Sequence, residues 1–334
     1  MRALPCASLD DARRLSVAPM MDWTDRHCRR FLRILSPRAL LYTEMVVAEA
    51  VLRGRTERVL AFDPAERPLA LQLGGSEPRT LALAAKIGED WGYDEINLNV
   101  GCPSDRVQNG AFGACLMARA DRVAECVDAM RAQVSVPVTV KCRIGIDDQD
   151  SEQFLFDFVD AVARAGCDTF VVHARKAILS GLTPKQNREI PPLRYPTVWG
   201  LKARRPELTI VINGGIRAEA DAEQHWQQVD GVMIGREAYH NPYFLARLER
   251  RLWPSSGPLP EPSEVVALLR PYVEAHLQNG GRLHAVTRHL LGLYAHRPGA
   301  RQFRRVLSER ANAVGACFAV LDAAVRAGEG AAGA

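Results

Sequence analysis

Long apolar stretches are missing from this sequence. No segment of the 334 residues approaches the roughly 18 uninterrupted apolar residues of a membrane-spanning helix. Met1 to Arg14 mix Asp10 and Asp11 with Arg2, Arg13 and Arg14, without the apolar centre of a signal peptide. A cytoplasmic location without a membrane partner is therefore expected. The eight cysteines (6, 28, 102, 115, 126, 142, 167, 317) contain no Cys-x-x-Cys pair, which argues against a disulfide framework and a zinc knuckle, so no metal site is expected. No Gly-x-Ser-x-Gly elbow and no Cys-His-Asn order supports hydrolase chemistry. The first apolar run ends in Ala18-Pro19-Met20-Met21, where a dinucleotide-binding open sheet would place a Gly-x-Gly-x-x-Gly turn.

What is present is the composition of an ordinary globular protein, 47% hydrophobic and 25% charged, which excludes disorder. Short apolar runs recur at Leu15 to Met20, Leu40 to Val46, Leu69 to Gly75, Glu95 to Cys102, Val138 to Gly145, Thr169 to Arg175, Thr209 to Gly215 and Gly231 to Arg236. The gaps between them hold stretches with apolar residues three and four apart, such as Pro78 to Asp90, Arg119 to Gln133 and Phe154 to Arg164. Alternating strands and helices imply a parallel sheet, and eight repeats imply a closed (β/α)8 TIM barrel.

Residues 254–263 contain four prolines in ten positions and read as a linker. Helical spacing resumes over Glu264 to Gln278, Leu283 to His296, Arg301 to Ala313 and Ala316 to Arg326, and Gly328 to Ala334 reads as a frayed tail. The expected organisation is a barrel over 1–253 and a C-terminal all-α bundle over 264–330. The net charge of +4 is unevenly spread. Between Arg282 and Arg310 seven arginines face the single acid Glu309, a local +6 that leaves about −2 for the rest, the footprint of a polyanion-binding surface.

Barrel enzymes place their chemistry at the C-terminal ends of the strands. Six consecutive runs end in polar or glycine residues: Gln72-Leu73-Gly74-Gly75, Asn99-Val100-Gly101-Cys102, Lys141-Cys142-Arg143, His173-Ala174-Arg175, Asn213-Gly214-Gly215 and Gly235-Arg236. The glycines of the last two let backbone N–H groups approach an anion, and Arg236 adds a bidentate cation, which points to a phosphate. An inward Lys141 needs a counter-charge or an electron-rich ligand, and Gln72 offers the donor and acceptor that the pyrimidine edge of a flavin presents. His173 is a candidate partner of the ribityl-phosphate region. A largely protonated thiol at Cys102 is suited to general-acid work, and the glycine-rich loop that it opens, to Met117, reads as mobile.

Five strings together resemble the tRNA-dihydrouridine synthase family: Val17-Ala18-Pro19-Met20, Leu41 to Met45, Leu71 to Gly75, Asn97-Leu98-Asn99-Val100-Gly101-Cys102-Pro103-Ser104 and Asp230 to Arg236. Tyr93 to Asn97, Gly113 to Met117 and Pro184 to Pro192 resemble its A subgroup. The resemblance implies FMN held by Pro19, Met20, Met21, Gln72, Lys141, His173, Asn213, Gly214, Gly215, Gly235 and Arg236. It implies NADPH as reductant, hydride to C6 of a uracil in the tRNA D-loop at positions 20 and 20a, and Cys102 protonating C5. Asn99 would hold the base, and Lys185, Arg188, Arg301 and Arg304 would contact RNA, with Arg305 on the same helix face. No stable protein partner is implied. Which of Lys141, Arg143 and Arg175 faces the uracil stays open, as do a small-molecule flavin reductase, a flavin-free phosphate-sugar lyase or isomerase and a non-catalytic tRNA-binding protein. Ile178 stands where the subgroup usually has tryptophan, and Cys142 where it has threonine.

Overall fold

The computed structural model describes residues 8–54 and 56–330. Arg2, Cys6 and the last four residues of the expected tail lie outside them.

Nine parallel strands form the barrel: β1 (Leu15–Val17), β2 (Leu41–Tyr42), β3 (Val46–Val47), β4 (Leu69–Gly74), β5 (Glu95–Val100), β6 (Val138–Arg143), β7 (Thr169–His173), β8 (Thr209–Asn213) and β9 (Gly231–Ile234). Their order is β1-β9-β8-β7-β6-β5-β4-β2, with β3 also on β4. A parallel bridge between Ser16 and Leu40 closes the ring, with Val17 N–H donating to Leu40 O and Leu40 N–H to Leu15 O, each at 3.0 Å. β2 and β3 are one stave, interrupted at Thr43, whose hydroxyl accepts the N–H of Gln72 at 3.0 Å. The eight staves are thus those read from the sequence.

Side chains alternate across each strand. Leu71, Leu73, Ile96, Leu98, Val140, Phe170, Val172, Ile210, Ile212 and Val232 belong to the large core shared with the surrounding helices. A small second cluster of Leu40, Tyr42, Ala70, Val171, Val211 and Met233 packs separately. The residues alternating with the large-core positions on β5 and β6 are polar, Glu95, Asn97 and Asn99 on one and Thr139, Lys141 and Arg143 on the other. They carry the site and its foundation.

After the helix Pro242–Leu252 the chain turns through Pro254–Ser256 and starts the next helix at Pro262, inside the proline-rich segment read as linker. Proline suits the first helical turn, where its missing N–H costs nothing. Further helices span Leu283–Thr287, Ala300–Arg310 and Ala319–Gly330. The second expected helix thus stops at Thr287 and continues as turns. There Gly292 lies so close to the Tyr239 and His240 carbonyls that a Cβ would come within 2.6 Å of the latter. The tail differs too, because Gly328 is buried within the last helix, with Gly299 backbone and the Tyr294 ring against it. The segment after Cys102, read as a loop, contains the short helix Asp105–Asn109 and a 3-10 segment Gly113–Ala118, with Leu116 and Met117 buried.

Candidate active site

The C-terminal strand ends open into a cavity of about 560 Å³. Its walls include Pro19, Met20, Met21, Gln72, Lys141, His173, Asn213, Gly214, Gly215, Gly235 and Arg236, together with Cys102, Asn99 and Arg188. Lys185 is exposed on the same loop as Arg188 and is not among the lining residues; Arg301 and Arg304 are exposed on Ala300–Arg310, also outside the cavity wall.

Cys102 sits just past β5, half-buried. Its N–H donates to Asn99 Oδ1 at 3.0 Å and its Sγ lies 3.5 Å from Ser104 Oγ. The chain returns across it where Ala114 N–H donates to Cys102 O at 2.9 Å; Gly113, with φ +78, permits that approach, since a Cβ there would lie 2.5 Å from the same oxygen. Lys141 Nζ donates to Asn213 Oδ1 at 3.3 Å. Burial, reinforced by Arg143, lowers the lysine to about 8. Burial also pushes His173 well below its ordinary value, helped by Arg143, Lys141 and Arg175, so its imidazole is neutral. His173 Nδ1 is sealed from solvent without a hydrogen-bond partner.

Of the three cations left open by the sequence, Lys141 and Arg143 line the cavity. Arg175 instead turns to backbone carbonyls of Pro191 and Glu189. Arg143 donates to Gly101 O at 2.8 Å and to Lys176 O at 2.9 Å, so it joins the Cys102 turn to the loop carrying Lys185 and Arg188. Arg236 pairs with Glu189 at 2.7 Å. On that loop Ile178 exchanges backbone hydrogen bonds with the side chain of buried Asn187, at 2.7 and 2.9 Å, an anchor that needs no indole. Cys142 is fully buried and burial pushes its thiol up to about 12, so it serves as apolar packing where a threonine hydroxyl would need a partner.

Strand-end signatures do not reveal Trp23, Met45 and Arg217, which also line the cavity. Trp23 stacks on Tyr239 at 4.5 Å. It lies two residues beyond Met21, and an aromatic just past a strand end is the available signal. Asp22 holds φ +65 at the same turn, which nothing in composition announces.

A model of the dihydrouridine synthase (Dus) family matches residues 16–328. The chain belongs to the dihydrouridine synthase family. It is 58% identical over 314 residues to the tRNA-dihydrouridine(20/20a) synthase of Escherichia coli K12, covering 94% of this chain and 91% of that protein. The enzyme of the same name from Vibrio cholerae is 56% identical over 313 residues, covering 93% and 95%. A solved 2-naphthoyl-CoA reductase complex overlays 70% of this chain and 49% of its own, with TM-score 0.53 at 10% identity, a likeness of fold alone. Among the described residues no cluster suited to a metal ion occurs, and no helix is long and apolar enough to cross a membrane. Cysteine, cation and glycine positions of this family member thus meet at one barrel mouth.

Proposed function

We propose that the protein reduces uridine to 5,6-dihydrouridine in the D-loop of tRNA, at positions 20 and 20a, with FMN as cofactor and NADPH as reductant. A tRNA substrate goes with work in the cytoplasm. The observation that carries this reading is the convergence of Cys102 with the eleven cofactor-type positions on one cavity, in a chain that shares 58% identity with a tRNA-dihydrouridine synthase.

The cavity residues fit a flavin nucleotide. His173 Nδ1 lacks a partner at the cavity wall. Gly214 and Gly215 hold φ +115 and +73, a backbone that L side chains resist, and a Cβ on Gly235 would meet nothing within 4 Å. Gly215 and Gly235 N–H groups with Arg236 would hold the phosphate, Gln72 the pyrimidine edge and Lys141 a negatively charged ring. When bound, reduced FMN supplies the hydride that goes to C6 of the uracil.

The chain's own residues do the rest. Asn99 orients the extruded base, and the Cys102 thiol delivers a proton to C5. Lys141 and Arg143 stabilise charge building on the uracil oxygens. Lys185, Arg188, Arg301 and Arg304 hold the RNA, and the division into a barrel and an RNA-binding helical region follows from that role. The test is incubation with FMN, NADPH and unmodified tRNA, followed by nucleotide-resolved mapping. Dihydrouridine at 20 and 20a is expected; conversion of free uracil derivatives with tRNA untouched would refute the reading.

A further inference from the structure

A continuous chain of side-chain hydrogen bonds runs inside the barrel from its closed end to the cavity. Arg13 donates to Glu95 Oε2 at 2.9 Å, and Tyr42 and Thr139 hydroxyls each donate to Glu95 Oε1 at 2.7 Å. Asn97 Nδ2 lies 2.8 Å from Thr139 Oγ1, Gln72 Nε2 2.8 Å from Asn97 Oδ1, and Asn99 Nδ2 2.8 Å from Gln72 Oε1. Asn99 Oδ1 then accepts the N–H groups of Gly101 and Cys102 at 3.1 and 3.0 Å. Glu95, Asn97 and Thr139 have no exposed surface, and none of the three lines the cavity.

Amide orientation is ordinarily ambiguous, because the oxygen and nitrogen of Asn and Gln look alike. Here both ends of the chain remove the ambiguity. A carboxylate paired with an arginine only accepts, and a backbone N–H only donates. Every link between them must therefore donate towards Glu95. Thr139 gives its proton to Glu95, so it can only accept from Asn97; Asn97 must then turn its oxygen to Gln72, and Gln72 its oxygen to Asn99.

We infer that Glu95 and Thr139 are positioning residues that, together with the Gly101 and Cys102 N–H groups at the other end, hold the amide orientation of Gln72 and Asn99 and, through Asn99, the backbone at Cys102. The consequence at the cavity is a defined pattern. Asn99 Oδ1 is saturated by two backbone donors, leaving one Nδ2–H, so Asn99 can only donate to an entering ring. Gln72 keeps one N–H and one lone pair in a fixed order. For the flavin and the uracil this inference rests on the proposed function, whereas the direction of the chain does not.

Two measurements test it. Neutron diffraction from deuterated protein without ligand should show the Thr139 deuteron on the line to Glu95 and the Gln72 oxygen facing Asn99; either amide reversed, or the deuteron elsewhere, overturns the inference. Thr139→Val, nearly isosteric, removes the link. Compared with wild type it should bind FMN roughly tenfold more weakly, the worth of a buried hydrogen bond left unmade. At saturating FMN its visible flavin band should be displaced, and Thr139→Ser should restore both. Wild-type affinity and spectrum in a folded Thr139→Val protein would overturn the inference. A wild-type protein that takes up no FMN sinks the proposed function instead, and the neutron maps still decide the chain.

Discussion

At the scale of single residues, Cys102 and Lys141 carry the most exposed claims. Cys102 touches the cavity with a thiol and fixes nothing else there through its side chain beyond the 3.5 Å contact to Ser104. Cys102→Ala should therefore keep FMN binding while slowing dihydrouridine formation by about 10² or more, the usual worth of a general acid; equal single-turnover rates would remove it from that role. Lys141, lowered to about 8 by burial and by Arg143, stays mostly protonated at neutral pH in the unliganded protein. Its folded value lies below the unfolded value of about 10.4, so the unfolded chain keeps its proton to higher pH and this group adds stability as pH rises across that interval. NMR of methylated lysines should show one resonance titrating near pH 8, absent from Lys141→Arg and moved upward by FMN. A lysine spectrum with no midpoint below about 10 would contradict this.

At the scale of elements, the turn after β1 is held from two sides. Asp25 accepts N–H groups of His27 and Cys28 at 2.9 and 3.0 Å, capping the helix Arg26–Leu35, and receives Arg288 at 2.7 Å and His289 at 3.0 Å from the helical region. Burial alone would raise the Asp25 carboxyl, but His289, the Cys28 N–H and Arg288 outweigh it and hold it well below the usual carboxylate range. A folded value below the unfolded one means stability that is present above about pH 3.9 and is lost as pH falls below it. Asp25→Asn should lower the melting temperature at pH 7 and flatten the acid side of the stability profile; parallel profiles would refute the assignment. Neither half of this joint is legible in the sequence, because Asp25 and His289 are 264 positions apart. The eight staves are legible because each is a short apolar run, and six of them end in polar or glycine residues. The deep residues Glu95, Asn97 and Thr139 do not stand out as a unit, although Glu-x-Asn-x-Asn and Thr-x-Lys-x-Arg alternate with the strand period.

At the scale of the whole molecule, the proposed function gives the chemistry to the barrel mouth and the grip on RNA to the exposed arginines of Ala300–Arg310. Their charge imbalance is visible in composition, but which arginines look outward depends on the helix face, with Phe303, Val306 and Leu307 buried and Arg301, Arg304 and Arg305 exposed. Replacing Arg301 and Arg304 with alanine should raise KM for tRNA with little change in kcat. The same change should make binding less sensitive to salt, by about one unit of logarithmic slope for each phosphate that an arginine no longer neutralises. An unchanged slope would take the helix out of the RNA interface. Whether this mouth brings reduced flavin, an extruded uracil and the Cys102 thiol together can be read from an anaerobic single turnover. Protein loaded with FMN, reduced by NADPH and freed of excess nucleotide is mixed with unmodified tRNA. Flavin reoxidation is expected in step with dihydrouridine appearing at positions 20 and 20a, one for one. Flavin that stays reduced in the presence of intact tRNA would contradict it.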